Sequence, residues 1–242
     1  MSLFNFKMSQ IQRIYRILMK EYGPQGWWPV TENGSLHPEY SGGPKSENQQ
    51  LEVVFGAILT QNTSWKNAEK AIIELNKHSL IDISKIAKIE NEKLAYVIKS
   101  SGYHSQKAKK LKNFCGFLLK KHDGSLKRLF RMDIRNLRED LLSVNGIGPE
   151  TADSIILYAA QKPIFVIDAY TKRILNRVGY KEDTYDALQK LFMKNLENNE
   201  KLFNECHALL VRLGKNICKK EPLCQKCPLN AHCGYAQKFH RA

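Results

Sequence analysis

Residues 142–152 read Leu-Ser-Val-Asn-Gly-Ile-Gly-Pro-Glu-Thr-Ala, and the fold of the whole chain turns on this stretch. Gly146 and Gly148 bracket a single apolar residue, Ile147, which permits a very tight helix-to-helix turn with bare backbone N–H groups. Pro149 stands where the first residue of a helix belongs, and Glu150 behind it is favoured by the helix dipole. Together they aim a helix N-terminus, partly positive and rich in unpaired amides, at an anion such as a DNA phosphate. Any close corner between helices can use a lone Gly-x-Gly. The full Val-x-Gly-Ile-Gly-x-x-Thr-Ala string is far more specific.

Outward from this turn, nearly every periodic segment repeats at 3.6 residues. Ile11, Ile14, Tyr15, Leu18, Met19 and Tyr22 make one apolar stripe, stopped by Gly23-Pro24. Further helices are expected near 47–60, 64–76, 83–88, 91–99, 105–121, 133–143, 149–160, 183–197 and 200–216. No strand alternation stands out. Residues 27–46, rich in Pro, Gly and Asn, read as a long irregular loop. The short apolar run Pro163–Ile167 leads to Asp168, placed as the N-cap of a helix that runs through Ile174 to about Arg177. The expected fold class is all-α with two lobes. A six-helix lobe over 46–165 presents the hairpin; residues 1–45 with 166–242 form the second, and Asp168 is expected at the cleft between them.

Composition narrows the partners. The chain has 242 residues, 43% of them hydrophobic, which excludes a disordered or small disulfide-stapled protein. No apolar stretch approaches the roughly 18–20 residues needed to span a bilayer, and Met1–Gln10 lacks a signal-peptide pattern. A soluble, cytoplasmic, nucleoid-associated monomer with no membrane partner is expected. The 38 Lys and Arg against 24 Asp and Glu leave a formal charge of +14. Residues 107–138 alone hold eleven Lys or Arg and two acids. Such a surface binds nucleic acid by counterion release, although a solvated face of two helices, an acidic protein or a membrane surface also fits it.

These residues resemble the helix-hairpin-helix of the endonuclease III superfamily of DNA glycosylases. An Asp follows the second glycine at the expected distance, and Ala57–Thr63 (AILTQNT) and Gly102–Ala108 (GYHSQKA) are similar to other signature stretches. The likeness runs from about residue 50 to 233. It implies double-stranded DNA with damaged bases as the partner and a catalytic role for Asp168, whose carboxylate would face the positive charge that builds on the sugar as the base leaves. A bare N-cap is the competing role for this residue. The resemblance also implies that Gly146, Ile147, Gly148, Gln61 and Lys172 meet DNA. Gln61 and the neighbouring Asn62 suit the gap left by an extruded base, or simply end a helix, and Tyr103 and His104 are candidates for a wedge. Relatives that cut the backbone carry a lysine just before Thr-Ala, where this chain has Glu150. A carboxylate forms no Schiff base, so base release without strand cleavage is expected. A glycosylase/lyase for oxidised pyrimidines, a mismatch glycosylase and a non-catalytic DNA-binding module remain alternatives.

The Trp27-Trp28-Pro29 string, followed by Leu59-Thr-Gln-Asn-Thr63, looks most like the endonuclease III-like 3-methyladenine DNA glycosylases. That likeness implies that Trp27, Trp28 and Trp65, with Glu150, line a pocket in which indole faces hold a cationic alkylated purine. Packing around the first helix and in the core is the other role open to the tryptophans.

Cys218, Cys224, Cys227 and Cys233 fall within sixteen residues, a strong metal-binding pattern. By resemblance they hold a [4Fe-4S] cluster, although the first interval is one residue shorter than in that loop; a four-cysteine Zn2+ site is the rival. The cluster would tie down a loop carrying Lys219, Lys220 and Lys226. Cys115 and Cys206 read as small buried hydrophobes.

Overall fold

The computed structural model describes residues 8–239. In chain order the elements are α1 (Gln10–Tyr22), β1 (Val30–Thr31), β2 (Pro38–Glu39), α2 (Glu47–Leu59), α3 (Trp65–Lys77), α4 (Ile83–Lys88), α5 (Asn91–Val97), α6 (His104–His122) and α7 (Leu126–Phe130). There follow α8 (Ile134–Leu142), α9 (Pro149–Ser154), a π-helical turn (Ile155–Ala159), α10 (Ala169–Val178), α11 (Tyr185–Asn195), α12 (Glu200–Asn216) and α13 (Gly234–Phe239). The protein is all-α apart from one two-residue antiparallel pair, Val30 opposite Glu39 and Thr31 opposite Pro38. Among the described residues, no helix is long and apolar enough to cross a membrane.

The chain divides into two compact units. One comprises Gly26–Ile164 and so contains β1 to α9 with the π turn; the other joins the described residues up to Gln25 to those from Phe165 onward. The first unit takes in residues 26–45, which the sequence reading groups with the other lobe. A buried carboxylate ties Thr31 to α2. Glu52 in α2 accepts from the amide and the hydroxyl of Thr31 at 2.8 and 3.0 Å, and from Asn76 Nδ2 at 3.1 Å. Gln49 Nε2 adds a bond to Thr31 O at 3.1 Å. The expected irregular loop is thus a pinned hairpin on α2.

α2 runs through the core of its unit, with every residue from Leu51 to Leu59 buried. In the other unit α1 starts on a reciprocal cap: Ser9 Oγ accepts from Gln12 N at 3.2 Å while Gln12 Oε1 accepts from Ser9 N at 2.9 Å. Its Ile11, Ile14 and Leu18 are buried, and Gly23 at φ +65° ends it. α10 and α12 approach very closely. A Cβ on Gly214 would lie 2.6 Å from Tyr170 Cβ, so only glycine permits the crossing. Arg173 fixes it by donating to Gly214 O at 2.9 Å and to Cys218 O at 2.8 Å.

Candidate active site and cysteine loop

The turn between α8 and α9 is held by backbone bonds from Ile147 N to Val144 O (3.0 Å) and from Ala152 N to Gly148 O (2.9 Å). Gly146 has φ +98°, and a Cβ there would sit 2.4 Å from Lys110 Cγ, so both backbone and space demand glycine. Ile147 is buried. The hairpin thus turns its apolar residue inward and leaves Asn145, Gly148, Pro149 and Glu150 exposed. Arg138 on α8 grips the fully buried Asp153 on α9 through two bonds, Nε to Oδ1 at 2.7 Å and Nη2 to Oδ2 at 3.3 Å.

Gln61 is half-buried just past the end of α2. Its Nε2 donates to Gly146 O at 3.0 Å and Thr151 Oγ1 at 2.8 Å, and its Oε1 accepts from Lys110 Nζ at 2.5 Å. The side chain fastens the end of α2 to the hairpin. Next to it, exposed Asn62 takes a left-handed backbone at φ +53°, as does Tyr103 at φ +45°, which is 68% exposed at the start of α6 beside exposed His104. Lys107 stands behind both loops. Counted with the surface charges in the sequence, it is in fact buried, and its ammonium donates to Leu59 O at 2.8 Å and Ser101 O at 2.7 Å. Burial, helped by the charge of Lys110, lowers its pKa to about 8.

Other members of the basic run also have partners, Lys121 and Arg128 in pairs at the surface. Lys112 donates to Ile89 O, Lys121 pairs with Asp140, and Arg128 pairs with Asp123. Exposed Lys109 lines an open groove of about 580 Å³ beside the hairpin, with Gln106, Lys110, Asn113 and Asn145.

The three tryptophans come together. Trp28 is buried, its ring 5.0 Å from Trp27, 5.2 Å from Trp65 and 5.2 Å from Tyr158 of the π turn. Gly56 on α2 makes room for it, since a Cβ there would meet the Trp28 ring at 3.1 Å. Trp27, half-buried, also touches Trp65 at 5.3 Å and Tyr40 at 5.9 Å. The rings meet edge-on or tilted, at 45–83°, with no parallel slot between them. The three tryptophans, expected in one pocket, thus lie against one another, with Trp27 and Trp65 half-buried.

In the other unit Asp168 is the N-cap of α10. Its Oδ1 accepts from Thr171 N at 2.7 Å. The preceding Phe165 is anchored by parallel stacking on Phe192 at 3.9 Å and by Gln189 Nε2 donating to its carbonyl at 2.7 Å. Asp168 Oδ2 lies 3.8 Å from Nε2 of His207 on α12, a residue that sequence reasoning passed over. Burial lowers the His207 pKa, against the opposing pull of the Asp168 charge. A histidine inside an apolar helical stripe was the available signal. Lys172 is exposed in the first turn of α10.

All six cysteines, four of them in the C-terminal loop, are free thiols. Burial pushes the thiols of Cys115 and Cys206 well above their ordinary value. Arg177 donates to Cys218 Sγ at 3.3 Å, to Lys219 O at 2.5 Å and to Lys220 O at 2.8 Å, and its guanidinium lies over the Tyr235 ring. Cys233 Sγ donates to Arg177 O at 3.3 Å. Burial and the neighbouring thiols raise Cys224, and Cys227 is pushed up to about 11. Among the described residues no three His, Cys, Asp or Glu side chains converge tightly enough to hold a metal ion.

Comparison with known proteins places this geometry. Residues 55–198 match the HhH-GPD superfamily base excision DNA repair protein family. A protein of Methanocaldococcus jannaschii provisionally named a DNA repair glycosylase is 40% identical over 94% of this chain and 97% of its own. Endonuclease III of Thermotoga maritima is 30% identical over 79% of this chain and 86% of its own. Among solved structures, the 3-methyladenine DNA glycosylase of H. pylori bound to 1,N6-ethenoadenine superposes with a TM-score of 0.68 at 29% identity, covering 86% of this chain and 98% of that one. A non-covalent endonuclease III–DNA complex shares the fold, with a TM-score of 0.75 at 20% identity over 97% of this chain and 100% of that one. A paired-glycine hairpin clamped by Arg138 and Gln61, in a chain matched from residue 55 to 198, has one reading: the protein belongs to the HhH-GPD superfamily of base excision DNA repair proteins.

Proposed function

We propose that this DNA glycosylase is monofunctional and hydrolyses the N-glycosidic bond of alkylated purines of the 3-methyladenine kind, turned out of duplex DNA. The observation that carries the proposal is Asp168, a carboxylate with one oxygen capping α10 and the other uncommitted to the helix. As the base departs with the bonding electron pair, the sugar becomes electron-poor, and an ionised carboxylate beside it lowers the barrier by a few kcal/mol. The attacking water adds its oxygen to the sugar carbon and gives up a proton, for which Asp168 is the base. Gly146 and Gly148 would meet phosphate through backbone amides and Lys172 through its charge, with Ile147, its amide bonded to Val144 O, holding the turn against the DNA, while exposed Tyr103 would enter the gap in the stack. Trp27, Trp28 and Trp65 would hold the base, whose positive charge suits indole faces. The H. pylori relative, bound to a modified adenine, supports this substrate class. Glu150, exposed in the first turn of α9, supports base release without strand cleavage, since it replaces the amine that a lyase needs.

Asp168→Asn keeps a cap and removes the charge. On methylated duplex DNA it should release bases at least about 100-fold more slowly with little change in melting temperature. Full activity in that variant would defeat the assignment. Borohydride added during wild-type turnover on abasic DNA should trap no covalent adduct; a trapped adduct would establish a lyase.

The four reduced cysteines, with an arginine donating to one of them, suit a centre that takes thiolate ligands, and the proposed occupant is a [4Fe-4S] cluster. When bound, it supplies iron–thiolate bonds that hold the loop in shape. Chemical analysis should find iron and sulfide in equal amounts, four of each per chain. Zinc without iron would replace the cluster by a tetrahedral site.

A further inference from the structure

We infer that His207 is a positioning residue for Asp168: its Nε2–H faces Oδ2 and holds the carboxylate in one orientation during base release. The inference rests on the reading of Asp168 as the catalytic carboxylate.

Three observations on one unit carry it. First, Asp168 is nearly buried, with its side chain 13% exposed, so its charge needs support on both sides. The start of α10 supplies one side, through Thr171 N on Oδ1 at 2.7 Å. On the other side stands His207 Nε2, 3.8 Å from Oδ2, a gap that a shift of under about one ångström would turn into a hydrogen bond. Second, His207 sits on a face of α12 otherwise filled by Phe203, Cys206, Leu210 and Leu213, all buried. An aliphatic side chain would satisfy that packing without the desolvation that a buried imidazole incurs. Third, Thr171 Oγ1 in the first turn of α10 is buried with no hydrogen-bond partner among the described residues, so this spot gathers polarity against the grain of the core.

The charge state matters as much as the distance. An imidazolium would cancel the Asp168 charge that must face an electron-poor sugar, whereas a neutral imidazole orients the carboxylate and leaves its charge intact. Burial favours the neutral form. Phe165, edge-on to the imidazole at 6.3 Å and itself clamped on Phe192, fixes the ring plane.

The experiment compares single-turnover base release from methylated duplex DNA with enzyme in excess. His207→Leu should slow the chemical step by about 10- to 100-fold. Its affinity for the duplex and its melting temperature should stay near wild type. His207→Gln, which returns an N–H donor near the Nε2 position, should recover most of the rate. His207→Asn ends short of Oδ2 and should remain slow, and it serves in place of the leucine variant if that one does not fold. In an Asp168→Asn background, His207→Leu should add no further loss to the residual rate. The inference is overturned if the leucine and asparagine variants release bases at the wild-type rate, if glutamine is as slow as leucine, or if the loss is as large without the Asp168 carboxylate as with it. A fully active Asp168→Asn variant would instead overturn the parent reading.

Discussion

Asp168 and His207 show how far a single side chain can be read. The N-cap position of Asp168 follows from the apolar run before it and the helical stripe after it, and Thr171 N bonded to Oδ1 realises that cap. Nothing in a linear string brings position 207 to position 168, because the pairing depends on how α12 packs along α10, closely enough at Gly214 to require glycine. The pair also has a thermodynamic signature. Burial holds the folded His207 below its ordinary pKa, so just below pH ~6.5 the unfolded chain binds a proton here that the folded chain does not. Unfolding free energy then rises with pH across that window and falls as the solution is acidified through it. Urea midpoints taken from about pH 7.5 down to about 5.5 should drop for the wild type and drop less for His207→Gln. Identical slopes for the two proteins would show that His207 is not held neutral.

The hairpin is the element where sequence and structure agree most closely, and where the missing part is most instructive. Its glycines, its proline at the helix start and its buried isoleucine are local signals, each tied to a local backbone need. The clamps are not local. Gln61 reaches Gly146 and Thr151 across 85 and 90 residues, and no spacing rule reveals that its amide is spent there. Lys107 and Lys110 look like surface charge in the sequence, yet one is buried under two carbonyls and the other packs on Gly146. The long helices were legible because their stripes repeat over several turns. The five-residue α7, α13 and the two-residue strands lie outside every expected helix, since runs this short offer little repeat to read, and the π turn lies inside the helix expected at 149–160, where spacing does not separate i→i+5 from i→i+4 bonding. Arg138→Met tests the clamp between α8 and α9. It removes both Arg138 bonds from the buried Asp153 carboxylate, and should destabilise the protein by about 3 kcal/mol. Adding Asp153→Leu should restore most of that stability, as read from urea midpoints. A single variant as stable as wild type would mean that the ion pair is incidental to the hairpin.

At the scale of the molecule, the formal charge of +14 overstates what is available to a polyanion. Within residues 107–138 the cations at 107, 110, 112 and 138 have partners in the folded chain, and exposed Lys121 and Arg128 are paired at the surface. The salt dependence of duplex binding should therefore reflect the exposed cations of this run, Lys109 among them. Lys109→Gln, at the groove beside the hairpin, should lower the slope of log affinity against log salt by about 0.9, the share of one phosphate contact. An unchanged slope would place the DNA backbone elsewhere. The tryptophan cluster has its own bearing on how such a protein would inspect undamaged DNA. On the proposed function, an ordinary nucleobase would enter by breaking ring contacts of about 0.5–1.5 kcal/mol each, whereas a methylated, cationic one would recover about 2 kcal/mol or more from the ring faces it meets. Discrimination would then come from exchange, with the protein's own rings as the competitor that a normal base has to displace.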